Sequence, residues 1–120
     1  MIVFDSYAWL EFFSGSIRGK KVAKYIESRE EILTPSICLA EIKRKYIKEK
    51  KEFSSRIKFI LMRSKIISLD FKIALLGAEI SEKFSLYMID ALVYASANFV
   101  ESRLLTGDQH FKDIENIEML

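Results

Sequence analysis

The chain opens on a short apolar run, Met1–Phe4, and runs of this kind return between longer stretches in which apolar positions recur every three or four residues. A short continuous apolar run is the pattern of a strand buried on both faces of a parallel sheet, whereas the longer period marks helices lying on such a sheet. Met1–Phe4 therefore reads as a strand, Ser6–Phe13 and Ile17–Glu27 as helices around Gly15, and Glu31–Thr34 as a second strand. Pro35 is the only proline, and its missing N–H suits the first turn of a helix, so Pro35–Lys50 is predicted helical. Glu52–Arg63 continues as helix, Ile66–Leu69 as a third strand, and Asp70 caps a helix Phe71–Phe84. Gly77 inside that helix costs about 1 kcal/mol relative to alanine, which marks a close packing point. The apolar run Ser85–Phe99 is the next helix, Arg103–Thr106 the fourth strand, Asp108–Lys112 a helical turn and Ile117–Met119 the final strand. This alternation predicts an α/β fold in three layers, a central parallel sheet of about five short strands covered by helices on both faces. Functional groups of such sheets gather at the carboxyl ends of the strands.

With 120 residues, 50% of them hydrophobic, the chain is long enough to bury a core, and residues 1–120 are read as one domain. Cys38 is the single cysteine, which excludes an internal disulfide and a zinc site of paired thiolates and fits a reducing compartment. No basic region precedes the first strand, and no apolar run reaches the roughly 18 residues of a membrane span, so a cytoplasmic protein is expected. The net charge of +2 is unevenly placed: Glu41–Lys58 holds eight Lys/Arg against three Glu, leaving −3 elsewhere. Such a segment is either a solvated helix face or a surface that follows phosphates.

Asp90 is the one charge in the run Ser85–Phe99. At about 100° per residue its face neighbours are Leu86, Tyr87, Val93, Tyr94 and Ala97, so an ionised carboxylate there needs a cation, a metal or a proton. Asp5 follows the first strand and Asp108 the fourth, at the edge where these sheets bind ligands, although each also precedes a helical stretch that an Asp would cap. Glu41 lies nearly opposite the apolar stripe Leu39, Ile42, Tyr46, and periodicity makes it a solvated residue paired with Lys45. His110, the only histidine, leaves no basis for a His-centred triad and reads as a residue of loop packing. Gly15–Lys21 is one residue short of a phosphate loop and follows a helix, so it reads as a basic turn. Trp9, Phe12 and Phe13 read as core.

In order along the chain stand a strand ending in Asp5-Ser6, a Pro-Ser-Ile-Cys-Leu-Ala-Glu segment ending at Glu41, Asp90-Ala91 in an apolar helix, and Thr106-Gly-Asp108-Gln-His-Phe111. Together these resemble the PIN-domain nucleases, in particular the small VapC-like toxins of toxin–antitoxin pairs, over essentially the whole chain. The resemblance implies that Asp5, Glu41, Asp90 and Asp108 are catalytic and hold one or two Mg²⁺ or Mn²⁺ ions, with Ser6 and Thr106 as auxiliary oxygen groups. It implies an endoribonuclease needing no protein nucleophile, a cognate antitoxin and a homodimer. Lys43, Arg44, Lys45, Lys48 and Lys51 are then candidates for holding the RNA backbone. Many relatives carry a further carboxylate just after the Thr-x-Asp element, where this chain has Gln109 and His110; Asp113 is a candidate substitute. A catalytically inactive RNA-binding module of the same fold and a structure-specific DNA nuclease are the competing readings.

Overall fold

The structure, a computed structural model, describes residues 1–120. Five strands form one sheet: β1 (Ile2–Phe4), β2 (Ile32–Pro35), β3 (Ser64–Ile67), β4 (Arg103–Thr106) and β5 (Ile117–Met119). Every neighbouring pair is parallel and the spatial order is β3-β2-β1-β4-β5. The connecting helices are α1 (Ser6–Ser14), α2 (Ile17–Ile26), α3 (Ser36–Lys48), α4 (Ser54–Arg63), α5 (Phe71–Phe84) and α6 (Met88–Phe99), with a single 3₁₀ turn at Gln109–Phe111. β1 is central and wholly buried because successive side chains enter opposite layers. Val3 joins the cluster built with α5 and α6, and Ile2 and Phe4 join the one built with α1, α2 and α4.

Local chemistry sets the element ends. Asp70 caps α5 by accepting the Ile73 N–H at 3.0 Å. Gly77 is a close packing point, as expected: a Cβ there would stand 2.6 Å from Leu92 Cδ2, so the glycine lets α6 lie directly on α5. Gly15 closes α1 in the left-handed region at φ 70°, and Ser16 caps α2 through the Gly19 N–H, so Gly15–Lys21 is an interhelical corner and the start of α2. Trp9 is fully buried and donates its indole N–H to Thr34 Oγ1 at 3.0 Å, with Phe12 and Phe13 packed against its layer.

Three sequence expectations are corrected. The third strand spans Ser64–Ile67 in place of Ile66–Leu69. Ser64 takes a buried position because its hydroxyl meets Thr34 Oγ1 at 2.9 Å and the Ile60 carbonyl at 2.8 Å, which removes the cost of burying a polar group. Pro35 ends β2 in extended conformation, at φ −60° and ψ 136°, and helix α3 starts after it, because β2 still pairs with β3 there, opposite Ile67. Its fixed φ serves a strand as well as a helix. The run Ser85–Phe99 is helical only from Met88, because Ser85 adopts φ 55° and closes α5.

Candidate active site

The sheet order reverses at β1: the chain builds β2 and β3 on one side of it, then returns to build β4 and β5 on the other. A crevice opens at such a switch point, outside the carboxyl ends of the two strands that flank it. Asp5 is the residue after β1, and Asp108 stands two residues after β4. Both carboxylates also cap the turns they precede. Asp5 Oδ1 accepts the Ala8 N–H at 2.8 Å and Asp108 Oδ1 accepts the His110 N–H at 2.9 Å. Capping and convergence on the crevice are therefore properties of the same side chains. Thr106 Oγ1 accepts the Asp108 N–H at 3.0 Å, tying the two walls to the end of β4.

Glu41 and Asp90 reach the crevice from helices α3 and α6. Asp5, Glu41, Asp90 and Asp108 line one small cavity of about 140 Å³, together with Ser6 and Tyr7 and an apolar wall that includes Val93 and Phe111. Glu41 is half-buried and accepts the Ser6 hydroxyl at 3.2 Å. This corrects the periodicity reading: the buried stripe of α3 is Cys38, Ile42 and Tyr46, which turns Glu41 toward the crevice, and Lys45 pairs with Glu49 at 2.9 Å instead. Asp90 is also placed differently from the helical-face expectation. Because α6 begins at Met88, Asp90 sits in its first turn, beside exposed Met88 and Ile89, and keeps 20% of its side chain accessible.

His110 is the group that sequence reasoning misplaces. Its Nδ1 lies 3.2 Å from Asp90 Oδ2 and 3.1 Å from Asp108 Oδ1, and its ring meets Tyr87 edge-on at 5.4 Å. It is half-exposed, so loop packing does not account for it; the buried member of that turn is Phe111. Asp113, exposed and at φ 68°, does not line the cavity and does not replace a missing carboxylate. Tyr7 is the other unforeseen member, its hydroxyl bonded to Arg18 and its ring seated on Gly107. Only the Gly between Thr106 and Asp108 signals that close approach.

The electrostatics follow from four acids and no lining Lys or Arg. Burial pushes the Asp5 carboxyl up to about 7, against the Thr106 hydroxyl and the Ala8 N–H that favour its ionised form, and the charges of Asp108 and Glu41 add to the rise. Burial, then the charges of Asp90 and Asp108, raise Glu41. Asp90 is raised by burial and by Asp108, with His110 opposing. Buried carboxylates that repel one another are stabilised by a bound cation, so this donor set fits a divalent ion of the hard, oxygen-seeking kind. Asp90, Asp108 and His110 each offer a ligand atom within 4.8 Å of the other two.

A second, larger groove of about 580 Å³ abuts the cavity and shares Glu41 with it. Arg44, Lys45 and Lys48 line it, with Glu49 and the apolar Ile37 and Ile89. Of the five basic candidates, these three are gathered there. Lys43 instead stands over the Phe53 ring, 5.0 Å from its centre, and Lys51 does not line the groove but pairs at 3.3 Å with Glu49, which does. No helix is long and apolar enough to cross a membrane.

Several solved structures share this fold. A toxin–antitoxin complex from Klebsiella pneumoniae superposes at TM-score 0.83 with 21% identity, covering 99% of this chain and 97% of that one. VapBC2 from Rickettsia felis, bound to a DNA fragment from its promoter, gives 0.79 and 21% over 100% and 99% of the two chains. Mycobacterium tuberculosis VapC20, described as a sarcin-ricin loop cleaving toxin, gives 0.80 with 12% identity over 99% and 98%. No curated protein sequence matches significantly. The family model of the PIN domain matches residues 2–117, and with the parallel sheet and the acidic crevice at its switch point the chain belongs to the PIN domain family.

Proposed function

We propose that this chain is a divalent-metal-dependent endoribonuclease, the toxin of a toxin–antitoxin pair, in which residues 1–120 act as one nuclease domain. The observation that carries the reading is the gathering of Asp5, Glu41, Asp90 and Asp108 in one cavity that no basic side chain lines. Family membership supports a nuclease, and the likeness to VapC20, a toxin described as cleaving the sarcin-ricin loop, favours RNA as the substrate. The Klebsiella and Rickettsia structures favour a protein antitoxin as partner. A homodimer working in the cytoplasm completes the proposal.

The four carboxylates hold one or two Mg²⁺ or Mn²⁺ ions. When bound, such an ion supplies Lewis acidity toward the phosphodiester and lowers the pKa of water. The protein's own part is positioning. Ala8 N–H and Thr106 hold the Asp5 carboxylate, Ser6 holds Glu41, and Thr106 fixes the backbone that carries Asp108. Because burial holds the Asp5 carboxyl up to about 7, cation binding there is coupled to proton release. Arg44, Lys45 and Lys48 follow the phosphate backbone as it approaches Glu41, giving affinity without base choice.

Expression in growing bacteria tests the toxin reading. Growth arrest with RNA fragmented at discrete sites is expected, and arrest and fragmentation should both vanish with Asp90→Asn. Arrest that persists unchanged in that variant, with RNA intact, contradicts it.

A further inference from the structure

The oxygen donors of the cavity leave one group unexplained. His110 neither packs in the core nor contacts the basic groove, yet its Nδ1 is directed at two carboxylates at once, 3.1 Å from Asp108 Oδ1 and 3.2 Å from Asp90 Oδ2. Its position is built. The backbone N–H of His110 donates to Asp108, the next residue, Phe111, is fully buried, and the Tyr87 ring meets the imidazole edge-on. Two ligands of one ion, each about 2.1 Å from it, lie up to about 4.2 Å apart. The donor atoms of Asp90, Asp108 and His110, all within 4.8 Å of one another, need only a slight contraction to meet that limit.

Resting on the metal-dependent reading of the cavity, we propose that His110 is itself a metal ligand, and that its imidazole nitrogen makes the site select Mn²⁺ over Mg²⁺. Mg²⁺ demands oxygen donors in near-ideal octahedral geometry, and imidazole is a poor partner for it. Mn²⁺ shares the oxygen preference of Mg²⁺ but, as a softer first-row transition ion, tolerates an imidazole better, so one nitrogen among the carboxylates shifts the preference without lowering the negative charge that attracts either ion.

His110 is the only histidine, so tag-free protein carries a single imidazole. Electron spin-echo envelope modulation on the Mn²⁺-loaded wild type should show a directly coordinated imidazole ¹⁴N, absent in His110→Ala and His110→Asp. Calorimetric titration with each ion alone should give a Mn²⁺-to-Mg²⁺ affinity ratio that is higher in wild type and is lost in His110→Asp, and an equal ratio in the two proteins overturns the selectivity. Bound Mn²⁺ without imidazole coupling overturns the assignment of His110 while leaving the acidic site intact. Failure of the wild type to bind Mn²⁺ at all overturns both readings. The wild-type spectrum decides the matter even if a variant folds poorly.

Discussion

The ring of Tyr7 occupies the space where a side chain on Gly107 would stand, a Cβ there falling 2.1 Å from Tyr7 Cε1. Gly107 joins Thr106, whose hydroxyl ties down the backbone of Asp108, to Asp108 itself, so this contact couples the end of β4 to the start of α1 across the cavity. Gly107→Ala must push the ring or the strand end aside. It should destabilise the protein by about 1–3 kcal/mol, the usual cost of overpacking, and lower cleavage more than stability because Asp108 moves with it. Tyr7→Ala in the same chain should recover the melting temperature. Thermal unfolding of the single and double variants checks this; an unchanged melting temperature in Gly107→Ala refutes the contact.

The raised Asp5 carboxyl makes stability depend on pH. Its native value of about 7 lies above the 3.8 of an ordinary Asp, so between those values the native state binds more protons than the unfolded chain. Stability is then fully present below about 4 and is lost as pH rises through about 7. Metal-free protein should therefore melt at lower temperature at pH 7.5 than at pH 5, and Asp5→Asn should flatten that slope. A slope of opposite sign, or one unaffected by Asp5→Asn, contradicts the burial of this carboxylate.

Glu41→Gln separates the periodicity of α3 from its packing. A solvated glutamate would be replaceable at no cost, whereas one accepting the Ser6 hydroxyl in the cavity should lose about 10–100-fold in metal affinity with little change in melting temperature of the metal-free form. Calorimetric titration with Mn²⁺ measures it, and wild-type affinity in the variant would return Glu41 to the surface.

Replacing Arg44 and Lys48 with Glu should weaken RNA binding and flatten its salt dependence. Each lost phosphate contact on a single strand lowers the magnitude of the slope of log affinity against log salt by about 0.7. Lys43→Glu, outside the groove, should change the slope less. Equal slopes for the groove variant and the wild type would mean that the basic segment is only a solvated face.

Much of this arrangement is legible in the sequence, for reasons particular to each part. Strands β1 and β4 are visible because a central parallel strand is apolar on both faces, and Asp5 and Asp108 follow because the chain changes character at their ends. β3 is displaced in sequence reading because Ser64 is buried by its hydrogen bonds to Thr34 and Ile60, which hydropathy does not register. Glu41 is hidden because the stripe of α3 runs through Cys38 in place of Leu39, which at about 100° per residue turns the centre of the buried face by roughly 30° toward Glu41. His110 is hidden for a different reason. Its partners are set by the meeting of a 3₁₀ turn with the first turn of α6, a contact between residues 20 apart that no local period encodes.

The most direct test of the central claim is cleavage of total cellular RNA by the purified chain, with Mn²⁺ or Mg²⁺ present and then removed by a chelator. Cleavage should require the ion, stop on chelation, leave 5′-phosphate and 3′-hydroxyl ends, and fall by about 10²-fold or more in a folded Asp90→Asn variant. Cleavage that continues in chelator, or that survives undiminished in Asp90→Asn, would contradict it.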